Sequence, residues 1–346
     1  MKVLLNMCRH VFEYRRKLIQ CRYASSRAEK NQLRILFFGT DSFSLPSLKI
    51  INENRKSGLS VSDLEVVTSF KAKKNPLKEY TKQERLALHD WPLRRTDLSR
   101  YFDLGVVVSF GHLIPEPLIS AFRLGMLNVH ASLLPKLRGA APIVHAIRNG
   151  DSETGVTVMK IKPKHFDVGE VLDQRKVSIS RDVLMPELHC QMAQVGASAL
   201  MHCIANLDHY YANLKEQNSC DATYAPKIDA HFADIRWTEM DALQVYNLWR
   251  SLYSYKPLTT RLGQELVKIF ELSFDPGSKE VDAQKQPPGL IRYCWKRKLL
   301  TVCCRDGRCV SVQQLAIGGK KAVTAQEFYN GYLSKKDPSE RLFDTG

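Results

Sequence analysis

The 346 residues contain no apolar run long enough to cross a bilayer. With 25% charged residues and a mean hydropathy of −0.28, the chain reads as a globular protein with no membrane partner. Glycine fingerprints are absent too. The turn "FFGTDSF" holds one glycine where a dinucleotide-binding turn needs three, and no GxxxxGK[ST] occurs, so neither a nicotinamide cofactor nor ATP is supported. No GxSxG elbow marks a serine nucleophile. Cys8, Cys21, Cys190, Cys203, Cys220, Cys294, Cys303, Cys304 and Cys309 form no CxxC pair and no Cys/His zinc spacing, which predicts reduced thiols and no metal.

Acidic residues are also scarce: 36 Asp and Glu stand against 51 Lys and Arg, a net charge of +15 that attracts polyanions. The surplus sits at the two ends, being +6 over residues 1–33, +3 over 34–235 and +6 over 236–346. Residues 1–32, poor in acids and rich in Arg, have the composition of a mitochondrial import presequence, which places the protein in the mitochondrial matrix.

Beyond it, "RILFFG" (34–39), "LEVVTSF" (64–70), "LGVVVSFG" (104–111), "GMLNVH" (125–130) and "GVTVMKIK" (155–162) read as strands. They alternate with helical spacing, as in "LPSLKIINENRKSG" and in the stripe Leu188, Met192, Val195, Ala199 and Cys203. This predicts a doubly wound α/β domain with a mainly parallel sheet over 33–214, its ligand lying outside the carboxyl ends of the strands. His189 and His202 lie off the helical stripe and read as surface residues. Weak periodicity over 215–237 reads as a linker. Residues 238–346 begin with a helix at Thr238 and Asp241, continue with short β runs divided by "DPGS", "RDG" and "GGKK", and close with a helix capped by Thr324 and Glu327, which predicts a small β-barrel or sandwich.

The stretch "NVHASLLPKLRGAAPI" (128–143) carries the chemistry. Alternate residues of a strand share a face, so Asn128 and His130 project together at a strand end. An amide N–H can donate to a developing oxyanion, and an imidazole can move a proton near neutral pH. Asp167 in "HFDVGE" offers a carboxylate to orient that imidazole, while His112 and His165 compete without a partner at i±2.

Together with "GDSETGVTVMKIKPKHFDVGEVL", "ILFFGTDSFSLPSL" and "AQVGASAL", this stretch resembles the folate-dependent formyltransferases over nearly the whole chain beyond the presequence. The resemblance implies a formyltransferase-like Rossmann domain with Asn128, His130 and Asp167 as catalytic residues. Phe110, Gly111, Ser132, Leu133, Leu134 and Pro135 would border the folate, within a pocket walled by "VVVSFGHLIP" (106–115). The donor implied is 10-formyltetrahydrofolate, and an amine attacks its formyl carbon through a tetrahedral intermediate.

"SVQQLAIGGKKAVTAQEF" resembles the end of the carboxyl-terminal domain of those family members that act on methionyl-tRNA, which implies an OB-like barrel that binds the initiator tRNA. Lys296, Arg297, Lys298, Lys320 and Lys321 are its candidate phosphate contacts, with Lys71, Lys73, Lys74 and Lys78 of "FKAKKNPLK" and Arg138 of the turn in the first domain. Arg138 equally suits a salt bridge that holds the turn. The loop at 71–78 lacks the Arg and Gly of its bacterial counterparts. A 10-formyltetrahydrofolate hydrolase, another folate-dependent formyltransferase and a non-catalytic RNA-binding protein are the alternatives, and a monomer is expected. If the presequence reading is right, protein recovered from mitochondria should begin near Asn31 by amino-terminal sequencing, and an intact Met1 would refute it.

Overall fold

Residues of β1 (Leu33–Gly39) serve two cores at once, because successive side chains of an extended strand face opposite ways. Ile35 and Phe37 enter one core, Leu36 and Phe38 another, and all four are fully buried. A strand buried on both faces has no polar alternation to show, which is why it reads as a continuous apolar run. The computed structural model describes residues 32–71, 75–93, 101–275 and 286–344. Residues 1–31 of the expected presequence, Lys73 and Lys74 lie outside the described residues.

The sheet continues with β2 (Val61–Thr68), β3 (Ala87–Asp90), β4 (Leu104–Val108), β5 (Met126–His130), β6 (Glu153–Lys160) and β7 (Val171–Ser178), in the order β3-β2-β1-β4-β5-β6-β7. The first five are parallel, as the sequence predicts, whereas β6 runs antiparallel to β5 and β7 antiparallel to β6. The order reverses beside β1, the position where open α/β sheets leave a crevice for ligands.

The helices of this half are α1 (Leu45–Lys56), α2 (Pro76–Gln83), α3 (Glu116–Ile119), α4 (Pro142–Asn149), α5 (Met185–Ala205) and α6 (Leu207–Ala212). Leu48 and Ile51 of α1, with Leu188, Met192, Ala199 and Cys203 of α5, fill the core on one face of the sheet. Leu118 and Ile119 of α3 join Phe110, Ile114 and Phe122 on the other.

The carboxyl-terminal half starts at α7 (Ala242–Leu252). Its cap is Asp241, which accepts from the Gln244 N–H while the Gln244 side chain accepts from the Asp241 N–H, so Thr238 precedes the capping box instead of forming it. β8 (Leu258–Leu262), β9 (Glu265–Ser273), β10 (Ile291–Cys294), β11 (Leu299–Cys303) and β12 (Cys309–Ile317) pair antiparallel in the order β10-β11-β12-β9-β8, with β13 (Val323–Thr324) on β12. This is the predicted small β domain, wrapped around Trp237, Phe328 and Phe343. α8 (Ala325–Phe328) follows, capped by Thr324 and Glu327 as predicted.

One buried cation joins the halves. Arg250 of α7, 3% exposed, donates to the carbonyls of Val183 at 3.2 Å and Ile147 at 3.5 Å, and to Asn247 Oδ1 at 2.8 Å. Ile147 belongs to α4, the helix that follows the Asn-x-His turn. Arg250→Ala should strip these carbonyls of their donor and lower stability by about 2–4 kcal/mol. A urea midpoint equal to that of the unsubstituted chain would remove Arg250 from this role.

Candidate active site

His130 ends β5 almost fully buried, 6% exposed, and both of its ring nitrogens face acceptors. Nε2 lies 3.0 Å from the carbonyl of Leu137 and Nδ1 lies 3.4 Å from Asp167 Oδ1. The imidazole is therefore set between a backbone carbonyl and a carboxylate. Asn128, two residues earlier and half-buried, projects with His130 from the same strand.

Asp167 reaches this point from an unexpected direction. Because β6 is antiparallel, its chain leaves the sheet beside Leu127, not beside His130, and the loop that follows doubles back toward the imidazole. Asp167 itself is in the left-handed region, at φ 57°. Its Oδ2 accepts from the Gly139 N–H at 3.0 Å, so one carboxylate binds both the imidazole and the turn. Gly169 makes the fold-back possible: any Cβ there would fall on the Lys160 carbonyl oxygen. Gly139, at φ +124°, lies so close to the Ala225 carbonyl that a Cβ would sit 2.5 Å from it.

The turn between them is held from behind. Ser132, Leu133, Leu134 and Pro135 lie outside the cavity lining, Leu134 and Pro135 being joined by a cis peptide bond. Ser132 donates to the Lys136 carbonyl and accepts, through its own carbonyl, from Thr157 Oγ1 at 2.6 Å. Thr157 Oγ1 accepts in turn from the Leu134 N–H at 3.0 Å, and Gln174 Nε2 donates to the Leu134 carbonyl at 2.8 Å. These bonds brace the turn from within.

Arg138 is 7% exposed, and its Nε and Nη2 donate to Gln217 Oε1 at 3.2 and 2.8 Å. Gln217 Nε2 donates to the carbonyls of Asp167 at 3.0 Å and Gly169 at 2.9 Å. A guanidinium so enclosed is withdrawn from the candidate tRNA contacts, and it holds the turn through an amide, not through a salt bridge.

Residues 215–237, expected as a linker, are thus part of the site. Thr223 accepts from the Leu137 N–H through Oγ1 at 2.9 Å and from the Arg138 N–H through its carbonyl at 2.8 Å, while Ala225 N–H donates to the Arg138 carbonyl at 2.7 Å. Such backbone pairing leaves no side-chain periodicity, so the sequence carries no signal for it.

A cavity of about 730 Å³ opens beside these groups, lined by Asn128, His130, Gly139 and Asp167 at one side. The predicted wall is there: Phe110 and Gly111 line it, with Val107, Ser109, His112, Leu113 and Ile114. Its volume and mostly apolar lining suit a flat heteroaromatic ligand fixed by a few polar groups. Asp41 adds one such group, accepting from Ser109 Oγ at 2.6 Å and from the backbone N–H groups of Phe43 at 3.0 Å and Ser44 at 3.3 Å. His189 corrects the sequence reading. It is a cavity wall packed on Phe43, with ring centres 5.4 Å apart, and burial pushes its imidazole below the usual range, partly countered by Asp41. His165 also lines the cavity, without a described partner, and His112 lies against Trp91. Among the described residues no group of three or more His, Cys, Asp or Glu could hold a metal ion.

With this geometry in place, comparison with known proteins is decisive. Residues 33–204 match the Formyl transferase family and residues 227–333 match the Formyl transferase C-terminal domain. The chain belongs to the formyl transferase family. Among curated formyl transferases, it is 38% identical over 342 residues to the human mitochondrial methionyl-tRNA formyltransferase, covering 94% of this chain and 86% of that protein. To the methionyl-tRNA formyltransferase of Coxiella burnetii it is 30% identical, over 90% of this chain and 99% of that one. The fold is shared with the sugar 3N-formyl transferase WlaRD, at TM-score 0.61 and 17% identity over 84% of this chain and all of that one.

The cationic candidates lie apart from the cavity. Lys71 is exposed, and Lys78 stands 4.5 Å over the Phe70 ring. Lys296, Arg297 and Lys298 are exposed in the turn between β10 and β11. Lys320 and Lys321 are exposed after β12, where Lys320 Nζ donates to the Tyr332 hydroxyl at 3.1 Å. Gly169→Ala should destabilise the chain by roughly 1–3 kcal/mol, because the Asp167 loop must move off the Lys160 carbonyl. Equal urea midpoints for the two proteins would show that the fold-back does not depend on glycine.

Proposed function

We propose that the chain transfers the formyl group of 10-formyltetrahydrofolate to the amino group of methionine on initiator methionyl-tRNA, for translation initiation in the mitochondrial matrix. The observation that carries this reading is the approach of Asp167 to His130 beside Asn128, at one side of a cavity suited to a flat ligand. Family membership and the mitochondrial relatives support the reaction and the compartment.

The roles follow from the chemistry of the groups. When a neutral amine adds to a carbonyl carbon, charge develops on the carbonyl oxygen and the amine must shed a proton. Asn128 supplies an amide N–H for the oxyanion, and His130 takes the proton and returns it to the departing nitrogen. Asp167 orients His130 and balances its positive form. A neutral amine needs no covalent nucleophile, in keeping with the absence of GxSxG.

On this reading residues 1–32 are the presequence, 33–214 the catalytic domain, 215–237 a linker that also clamps the catalytic turn, and 238–346 the tRNA-binding domain. Phe110, Gly111, Ser132, Leu133, Leu134 and Pro135 are proposed folate contacts. Lys71, Lys78, Lys296, Arg297, Lys298, Lys320 and Lys321 are proposed phosphate contacts, each a point charge on the surface. The chain is proposed to act as a monomer. Asp167→Ala and His130→Ala should each slow single-turnover formylation of charged initiator tRNA by about 10²–10⁴-fold with tRNA affinity nearly unchanged. Near-normal rates in either variant would overturn the assignment.

A further inference from the structure

The turn from β10 to β11 carries an aromatic group that the formyl-transfer site does not use. Trp295 is 68% exposed, an unusual state for the largest apolar side chain. It is nonetheless packed in a defined way. Tyr293 and Tyr329 are stacked on each other at 4.6 Å, with planes 19° apart. The Trp295 ring stands at 89° to the first and 79° to the second, with centre-to-centre distances of 4.8 and 5.4 Å.

A ring perpendicular to both members of a stack and near both centres must lie beside the stack. These distances are those of face-to-edge packing and are too short for edges to meet edges. One indole face is thus spent on the tyrosine edges, and the opposite face is the one left to solvent.

The turn that carries Trp295, with the strand before it, is cationic. Arg292, Lys296, Arg297 and Lys298 are exposed, no acidic residue occurs between 291 and 300, and the Arg341 guanidinium stands 5.3 Å over the Tyr329 ring. A groove of about 420 Å³ on the same turn is lined by Arg297, Lys298, Leu299, Gln313, Thr324 and Gln326, with no carboxylate among them. A braced aromatic face beside a positive groove is the pairing that binds single-stranded nucleic acid, where bases stack and phosphates follow the cations.

We propose that Trp295 is a stacking platform for an unpaired nucleotide of the bound tRNA, whose phosphates the Arg297 and Lys298 groove takes up. This rests on the reading that the carboxyl-terminal domain binds tRNA, and it adds a contact that is not electrostatic. The salt dependence of binding reports phosphate contacts, and stacking contributes little to it, so the two can be measured apart.

The test is the affinity of the full chain for initiator tRNA over a salt series. Trp295→Ala should weaken binding about 5- to 150-fold at every salt concentration with the slope unchanged. Trp295→Phe, which keeps a ring, should recover most of the loss. Joint replacement of Arg297 and Lys298 by Ala should instead lower the slope by about 1.4 to 1.8. Loss of its contacts to Tyr293 and Tyr329 should lower the melting temperature of Trp295→Ala by no more than a few degrees, so the variant stays folded where binding is measured. If the unsubstituted chain binds tRNA and Trp295→Ala binds equally well, or if Trp295→Phe is as weak as Trp295→Ala, the platform is overturned while tRNA binding stands. If the unsubstituted chain does not bind tRNA, the underlying reading fails and the platform with it.

Discussion

A single carboxylate, that of Asp167, joins the parts of this molecule that matter for chemistry. One oxygen faces the His130 ring and the other accepts from the Gly139 N–H. The imidazole and the turn after it are therefore positioned by the same group. Gln217 fixes the peptide carbonyls on either side of that loop and is itself fixed by buried Arg138. The arrangement is closed: Arg138 belongs to the turn that Asp167 binds, so loop, turn and the following segment each restrain the other two.

Such mutual restraint gives an acid–base group a definite geometry before any ligand arrives. His130 has little freedom, because both nitrogens have partners and the ring is nearly inaccessible to water. Pre-organised donors in a water-poor site act more strongly than the same groups in solution, since they need no rearrangement as charge develops. The cavity beside them is mostly apolar, with Lys162 and Lys227 among its lining residues. Arg250 couples the halves through the helix that follows the Asn-x-His turn.

Much of this was legible in the residues. The strands at Leu33–Gly39 and Leu104–Val108 are continuous apolar runs because both faces are buried. The cap at Thr324 was visible because side-chain capping leaves a spacing, whereas the first capping box lies at Asp241 and Gln244, three residues after the pair read from Thr238. Asn128, His130 and Asp167 stood out by residue type. Other features were silent. β7 (Val171–Ser178), with its QRK centre, is half exposed and shows no apolar run, and β3 (Ala87–Asp90) is too short to establish a period. The hydrogen bonds that brace Ser132 through Pro135 run to Thr157 and Gln174, far along the chain, and leave no local spacing. His189 lies off the helical stripe, which in the sequence looks like surface and in the fold is a cavity wall.

What the sequence by itself determined was the class of each element, the order of the two halves and the chemical types at the site, because these depend on local propensity, burial period and side-chain chemistry. Only the tertiary structure decided how the Asp167 loop approaches. That depends on the antiparallel direction of β6 and on a glycine pressed against a backbone carbonyl, and strand direction is set by long-range pairing that no local pattern encodes. It likewise turned Gln217 from a linker residue into the support of the Asp167 loop, since a hydrogen bond across fifty positions exists only once the chain has closed on itself.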